Sequence, residues 1–355
     1  MRNNRNMKQI FIFTSIAIFS LVIFGFNTAL AKTITLTFAT NNPPAGLKGD
    51  AEKIFIEELE KASNGQIKVK PFWAGSLLNI KEMLKGISDG IVDMGYVNVA
   101  YYPKKLTLNS GILLVDQGPV NYQNKINAFR RIYTEIPELK AEIEKFNQKI
   151  VYMYTMSPVG WCFNKPVKSI SEINGLKVRT SSRWAMNTLK DLGAAPVSLP
   201  FRDLYVALQT NSIQGVVTNL DSIHRAKLHE VAPHILTTNK LWTPLAYFIN
   251  INQKKWNKLS DEMKDAFKKA AINAEMRFSE KYTEWLNIIE SDMKKSGCTI
   301  TAASPEDYSL WLNSPAQEAN IQAWIASVSK AGITNAEVVF QGMKRIAQEE
   351  INKEK

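Results

Sequence analysis

The sequence is poor in the residue types that most often bind metals or carry out catalysis. Its 355 residues include two cysteines and three histidines, His224, His229 and His234. The histidines follow one another at intervals of five, which distributes them around a helix instead of aligning them on one metal-binding face. No H-E-x-x-H, C-x-x-C, P-loop, G-x-S-x-G or dinucleotide-binding pattern occurs. We therefore predict no metal, no cofactor and no enzymatic activity, and we interpret the histidines as surface residues.

Disulfide formation and nucleic-acid binding also receive little support. Cys162 and Cys298 are 136 residues apart, which is weak evidence for a disulfide even in an oxidising compartment. The net charge is +11, but the lysines are spread along predicted helices. The chain has no cluster of basic and aromatic residues of the kind that binds nucleic acids. The positive charge is compatible with anionic solutes.

Residues 1–31 have the pattern of a secretory signal peptide. Three basic residues within the first eight positions precede an almost uncharged apolar run over 9–26. Ala29-Leu30-Ala31 then fits a small-x-small cleavage site before Lys32. This pattern predicts export and a mature periplasmic protein that starts at Lys32. Because the apolar run is long enough to cross a bilayer, an uncleaved membrane anchor is the alternative.

The following stretch alternates between strand and helix signals. Residues 32–39 place Ile34, Leu36 and Phe38 opposite threonines, which is the period of a half-buried strand. Helical patterns, strand patterns and turn residues then alternate up to Tyr96. Such a strand–helix–strand order predicts a mostly parallel α/β lobe.

The second half continues the α/β pattern and contains a long helix. A predicted strand over 245–251 is followed by Ser260, which has the side chain of a helix N-cap. Apolar residues recur every three or four positions from there to Met293, and Gly297 follows. A helix of about 35 residues extends roughly 50 Å, which is longer than one small lobe.

One stretch, Gly175–Asn219, contains the candidate site. A short strand ends at Arg179, and Thr180-Ser181-Ser182 supply N-cap chemistry for a helix over 184–192. We therefore expect the Arg179 guanidinium at the carboxyl edge of a sheet, where open α/β folds bind ligands. A guanidinium offers a rigid fork of donors that fits a carboxylate. The pattern predicts recognition of a carboxylate at Arg179.

The same stretch carries an ordered sequence pattern. Its parts are Gly175-Leu176-Lys177-Val178-Arg179, Ala195-Pro196-Val197-Ser198-Leu199-Pro200-Phe201, Asp203-Leu204-Tyr205-Val206-Ala207-Leu208-Gln209 and Gln214-Gly215-Val216-Val217-Thr218-Asn219. This pattern of about forty-five residues resembles the solute-binding subunits of tripartite ATP-independent periplasmic (TRAP) transporters, the DctP-like family named for C4-dicarboxylate uptake. A weaker similarity covers most of the mature chain.

The resemblance implies an α/β fold of two lobes, the type II-like periplasmic-binding-protein fold, with the long helix spanning both. It predicts an N-terminal lobe of 32–157 plus about 245–275. The C-terminal lobe is then 158–244 plus about 276–355. The implied function is capture of a small organic acid and its delivery to a large and a small TRAP membrane subunit for import.

The resemblance also implies which residues contact the solute. Arg179 is expected to form the salt bridge with the carboxylate. Many relatives have a second arginine where this chain has Cys162, beside Trp161, and polar residues where it has Val216-Val217. These departures predict a monocarboxylate with an apolar or aromatic body, although Trp161 is equally compatible with a core position. The predicted ligand contacts are Arg179, Phe201, Thr218, Asn219, Trp161, Cys162, Trp242, Asn98, Asn41 and Ser76.

Three alternatives remain open at this point. The first is a binding protein that serves a signalling receptor instead of a transporter. The second is a C4-dicarboxylate ligand, in which case Arg183 is the first candidate for the second positive charge. The third is a periplasmic hydrolase or isomerase on a similar scaffold, and the missing catalytic motifs argue against it.

Overall fold

The computed structural model describes residues 33–241 and 246–354. The predicted signal peptide, 1–31, and the predicted ligand contact Trp242 lie outside these described residues. Within the described ranges, no helix combines the length and the apolar character that crossing a bilayer requires.

The strands are short, and the first one follows the predicted alternation. Leu36 and Phe38 are fully buried, whereas the threonines between them are not. The strands are β1 (Ile34–Ala39), β2 (Ile67–Phe72), β3 (Met94–Asn98), β4 (Gln148–Tyr154), β5 (Val159–Phe163), β6 (Lys177–Arg179), β7 (Ala195–Val197), β8 (Gly215–Asn219), β9 (His234–Thr237), β10 (Tyr247–Asn252) and β11 (Thr299–Ala302).

Polar N-cap side chains begin several of the helices. Ser182 Oγ accepts a hydrogen bond from the Ala185 amide, and Ser260 Oγ accepts one from the Met263 amide, so both predicted caps are confirmed. The helices are α1 (Leu47–Ala62), α2 (Ile80–Asp89), α3 (Tyr122–Glu135), α4 (Pro137–Glu144), α5 (Arg183–Asp191), α6 (Leu204–Gln209), α7 (Leu220–Arg225), α8 (Leu228–Val231), α9 (Gln253–Asn257), α10 (Asp261–Lys295), α11 (Pro305–Leu312), α12 (Pro315–Lys330) and α13 (Ala336–Asn352).

The first sheet has the strand order β2-β1-β3-β10-β4. β1 is parallel to β2 and β3, as the alternation of strands and helices predicts. β10 returns from the second half of the chain and runs antiparallel between β3 and β4. The carboxyl ends of β1 and β3 therefore meet at one edge of this sheet.

The second sheet has the order β11-β9-β5-β8-β6-β7. β6 is parallel to β7 and β8, while β5 is antiparallel to β8 and β9. Two separate α/β sheets with their own cores confirm the predicted two-lobed fold.

Helix α10 connects the cores of the two lobes. It is 35 residues long, so it extends roughly 50 Å. Phe278 and Tyr282 pack in the core of the first sheet, whereas Ile289 and Met293 pack behind the second sheet. The predicted spanning helix is therefore confirmed.

The last two helices pack on the first lobe, and α12 also contacts α5 of the second lobe, where Asn320 Nδ2 donates to the Trp184 carbonyl oxygen at 3.1 Å. Trp324 of α12 and Phe340 of α13 are fully buried in the same hydrophobic cluster as the first sheet. The Trp324 Nε1 atom also donates a hydrogen bond to the Thr107 carbonyl oxygen at 2.8 Å. This packing differs from the predicted division, which placed 276–355 in the second lobe, and the domain boundaries themselves stay a prediction.

Candidate ligand-binding site

Arg179 occupies the last position of β6, at the carboxyl edge of the second sheet. The residue is buried, with an exposed fraction of 6%. Its Nε and Nη2 atoms donate hydrogen bonds to the Leu199 carbonyl oxygen at 3.1 and 3.0 Å. Burial lowers the pKa of Arg179, and the Tyr101 phenol acts in the opposite direction, but no acidic group of the described residues pairs with it. A guanidinium stays protonated in proteins, so Arg179 is a buried cation without a counter-charge in the described part of the chain.

The backbone around Leu199 is held close to Arg179 by the parallel pairing of β6 and β7. The Thr180 amide donates to the Val197 carbonyl at 3.3 Å, which joins the ends of these two strands. Pro200 then fixes the φ angle directly after Leu199. The guanidinium is therefore oriented by rigid backbone before any solute binds.

Phe201 follows this loop and is half-buried. The guanidinium carbon of Arg225, at the end of α7, lies 5.2 Å from the centroid of the Phe201 ring. This distance is typical of a cation–π contact. The ring of Phe201, which is predicted to contact the solute, therefore also contacts the cationic side chain of Arg225.

Trp161, Thr218 and Asn219 line one common cavity of about 80 Å³. Asn219 is fixed there because its Nδ2 atom donates to the Ser157 carbonyl oxygen at 2.8 Å. Trp161 has no exposed surface and packs edge-to-face on Trp311 at 5.5 Å between ring centroids. Trp161 is thus a core residue that also borders a cavity, which combines the two readings that the sequence left open.

Cys162 is buried in the core of the second lobe, and the predicted contact of its side chain with the solute stays a prediction. It has no exposed surface and packs with Val216 and Met293 on the face of the sheet opposite Trp161. Burial raises the pKa of the Cys162 thiol to about 12. Cys162 and Cys298 are both free thiols. The sequence position that aligns with a second arginine therefore supplies no positive charge in this chain.

The loops of the first lobe hold three of the predicted contacts. Asn98 Oδ1 accepts the Ala100 amide at 3.0 Å and so caps the 3₁₀ turn Val99–Tyr101. Asn41 Nδ2 donates to the Leu78 carbonyl oxygen at 3.4 Å, and Ser76 is exposed. The capped turn carries Tyr101, which influences the pKa of Arg179, whereas ligand contacts by Asn41 and Ser76 stay predictions.

A group of tyrosines in the first lobe was missed by sequence reasoning. The ring of Tyr247 lies 5.7 Å from that of Tyr96 and 5.5 Å from that of Tyr154, measured between centroids. The Lys48 Nζ atom lies 4.4 Å from the centroid of the Tyr247 ring. The sequence held only a weak signal for this group. Tyr96 stands two residues before Asn98, so both side chains face the same side of β3.

Glu52 is buried directly behind these tyrosines. It accepts hydrogen bonds from Tyr154 at 2.7 Å, from Asn42 at 2.6 Å and from Thr40 at 3.0 Å. Burial raises the pKa of Glu52 to about 7, and the three hydrogen bonds act in the opposite direction. The carboxyl group of Glu52 therefore holds Thr40 and Asn42 in place in the loop that follows β1.

A cavity of about 660 Å³ lies where α1, α7 and α10 meet. Lys48 from the first lobe and Asp221 and Arg225 from the second lobe line it, but Arg179 does not. Asp221 is held by Ser157, whose Oγ donates to its Oδ1 at 2.5 Å. We centre the candidate site on Arg179. A buried charge that is unpaired among the described residues indicates an anionic ligand, whereas the volume of a cavity does not indicate the chemistry of its ligand.

The sequence profile of the DctP family, described as bacterial extracellular solute-binding protein, family 7, matches residues 38–330. The chain belongs to this family. Members of the DctP family are solute-binding receptors rather than enzymes. Relatives named in this family include TRAP solute-binding proteins, which confirms the resemblance seen in the sequence.

Individual members of the DctP family are similar over most of their length. The chain is 26% identical to the 2,3-diketo-L-gulonate-binding periplasmic protein YiaO of Escherichia coli, over 80% of this chain and 86% of the relative. It is 23% identical to the sialic acid-binding periplasmic protein SiaP of Vibrio cholerae, over 77% and 84%. A solved TRAP solute-binding protein from a marine metagenome, co-crystallised with 3-hydroxybenzoate, has 21% identity and a TM-score of 0.74, over 90% and 99%. The structural likeness shows the shared fold.

His229 differs from the prediction that the histidines lie on the surface, whereas His224 and His234 are partly exposed. His229 is buried, and its ring stacks on that of His224 at 5.4 Å between centroids. Burial lowers the pKa of His229, and the neighbouring His224 adds to this effect. Within the described ranges, no group of three or more His, Cys, Asp or Glu side chains is arranged to hold a metal ion.

Proposed function

We propose that this chain is the periplasmic solute-binding protein of a TRAP transporter. It captures an organic acid by its carboxylate and delivers it to a large and a small membrane subunit for import. The observation that carries the proposal is the buried guanidinium of Arg179, which has no counter-charge among the described residues. A buried unpaired charge is costly, so an anionic ligand that pairs with it gains free energy.

The binding step follows from the position of Arg179 at the edge of the second lobe. A carboxylate that enters the cleft meets the guanidinium on one side and Tyr101 of the first lobe on the other. Closure of the two lobes excludes water, which strengthens the ion pair because the local dielectric falls. Catalysis plays no part in this scheme, since the carboxylate is bound and released unchanged.

We propose a monocarboxylate with an apolar or aromatic body as the solute. Cys162 is buried in the core of the second lobe, so the usual second arginine has no counterpart at that position. Tyr101 is exposed and acts on the pKa of Arg179, and Phe201 follows two residues after Leu199, whose carbonyl oxygen Arg179 binds. The relatives named for 2,3-diketo-L-gulonate and sialic acid agree with an organic acid, although their solutes differ from each other.

A solute screen tests the proposed function. The mature protein is heated with single organic acids in a thermal-shift assay, because a ligand that binds only the folded state raises the melting temperature. We expect at least one carboxylic acid to do so for the wild type and to lose this effect in Arg179→Ala. The proposal fails if no organic acid shifts the melting temperature, or if Arg179→Ala responds like the wild type.

A further inference from the structure

The small cavity beside Arg179 has an unusual lining. Its volume is about 80 Å³, and both lobes contribute to its wall. Thr180, the residue after Arg179, and Asn219, at the end of β8, border it on the second-lobe side. The cavity therefore lies at the same sheet edge as the guanidinium. The lining also includes the hydroxyl residues Ser181, Ser182, Thr188 and Thr218, together with Leu113, Asp116, Trp161, Trp184, Trp311 and Gln317.

Trp161 contributes a hydrogen-bond donor that the fold does not use. The residue has no exposed surface, and its Nε1 atom has no hydrogen-bond partner in the described part of the chain. Leaving a buried N–H unpaired is costly, because the group loses its hydrogen bond to water. An acceptor placed in the adjoining cavity would remove this cost.

Asp116 is the carboxyl group in the described lining of this cavity. No lysine or arginine of the described residues lines the cavity with it. Burial raises the pKa of Asp116 to about 7, and Trp311 and Lys344 act in the opposite direction. A carboxyl group has several acceptor positions, so a neighbouring indole leaves capacity for another donor.

We propose that this cavity is a subsite for a hydroxyl group of the acid whose carboxylate binds Arg179. The proposal rests on the proposed function. A hydroxyl group accepts a hydrogen bond from the Trp161 N–H and donates one to Asp116. An ammonium group cannot accept, and a second carboxylate would meet Asp116 in a cavity whose described lining holds no cation.

The size and the walls of the cavity agree with this assignment. A water molecule occupies about 30 Å³ in the liquid, so the cavity has room for a hydroxyl group and the few carbon atoms that carry it. Trp161, Trp184 and Trp311 supply apolar walls for those carbon atoms. The solute class is therefore a hydroxy monocarboxylic acid.

Matched pairs of acids test the subsite by titration calorimetry on the mature chain. The pairs are 3-hydroxybenzoate with benzoate, 3-hydroxyphenylacetate with phenylacetate, and lactate with propionate. We expect the hydroxy acid of at least one pair to bind about tenfold more tightly, as one well-formed hydrogen bond allows. Asp116→Leu and Trp161→Phe should each reduce this preference, and Asp116→Asn, which still accepts a hydrogen bond, should keep most of it.

The control is Asp265→Leu, because Asp265 is exposed on α10 and should leave the preference unchanged. Circular dichroism confirms that each variant is folded, and Trp161→Phe provides a readout if Asp116→Leu is not. Equal binding within every pair overturns the subsite, as does a hydroxyl preference that survives both substitutions. If none of these acids binds while another acid shifts the melting temperature, the subsite is wrong and the proposed function stands. If no acid binds at all, both fail.

Discussion

The Arg179 guanidinium donates two hydrogen bonds to the carbonyl oxygen of Leu199, one from Nε and one from Nη2. A guanidinium has five N–H donors, so three remain for a ligand. They lie on Nη1 and Nη2, the edge that binds a carboxylate in a bidentate way. A lysine has a single nitrogen, so it cannot reproduce both the loop contact and the fork.

We expect Arg179→Lys to weaken binding of the best solute by about 2–5 kcal/mol, because a desolvated bidentate partner is lost. The fold should survive, since the positive charge is kept. Titration calorimetry measures the change, and Arg202→Lys, an exposed arginine in the same loop, is the matched control. Unchanged affinity in Arg179→Lys would contradict the bidentate assignment.

Glu52 predicts a specific dependence of stability on pH. Its pKa rises from 4.5 to about 7 on folding, so between these values the folded chain holds a proton that the unfolded chain has released. Stability from this group is fully present below about pH 4.5 and is lost as the pH rises through about 7. The shift corresponds to about 3 kcal/mol.

Glu52→Gln removes this titration but keeps an oxygen that accepts hydrogen bonds. We therefore expect the free energy of unfolding of the variant, relative to that of the wild type, to be about 2–3 kcal/mol higher at pH 8 than at pH 5. Urea unfolding at both pH values measures the change, with the exposed Glu284→Gln as control. A difference that does not depend on pH would refute the assignment.

Gly111 of the first lobe lies directly against Trp324 of α12. A Cβ atom at this position would overlap the Trp324 ring, which is fixed by its hydrogen bond to Thr107. We expect Gly111→Ala to destabilise the protein by about 1–3 kcal/mol. Thermal unfolding tests this, and Gly342→Ala is the control because its Cβ would approach Ile136 no closer than 3.1 Å. Equal stability of both variants would show that α12 adapts freely.

The solute class predicts a preference among acids. We expect a branched or aromatic monocarboxylate to bind more tightly than succinate, fumarate or malate, because the second carboxylate would lack a cation at Cys162. Tryptophan fluorescence can follow the titrations. If a C4-dicarboxylate binds best, the second charge must come from elsewhere. Lys48 and Arg225 would then be better candidates than Arg183, whose guanidinium stacks on Trp184 at 3.8 Å from the ring centroid.

The predicted export signal gives a further test. We expect mass spectrometry of a periplasmic extract to find a mature chain that begins at Lys32, because the small-x-small pattern precedes it. A full-length chain retained in the membrane fraction would instead support the uncleaved anchor.

Elements with a clear local signal could be predicted from the sequence. The alternation in β1, the N-cap of α10 and the strand–helix boundary at Arg179 depend on neighbouring residues only. The sequence also placed Arg179 at a sheet edge, because a strand and an N-cap meet there.

The orientation of side chains in β5 could not be predicted in the same way. Val159–Phe163 is apolar on both faces, so alternation does not show which side Trp161 or Cys162 takes. The grouping of Tyr96, Tyr154 and Tyr247 depends on the pairing of β3, β10 and β4, which are distant in sequence. The packing of α12 on the first lobe is likewise a long-range contact without a local signal.

Helix α10 has a mechanical consequence for solute release. Asp261–Lys295 contains neither glycine nor proline, the residues at which helices usually kink. Because its two halves are anchored in different lobes, we expect closure to bend the helix by elastic curvature along several turns rather than by rotation at one joint. A closed lobe pair would then hold bending energy, and this energy would favour reopening once the carboxylate leaves Arg179.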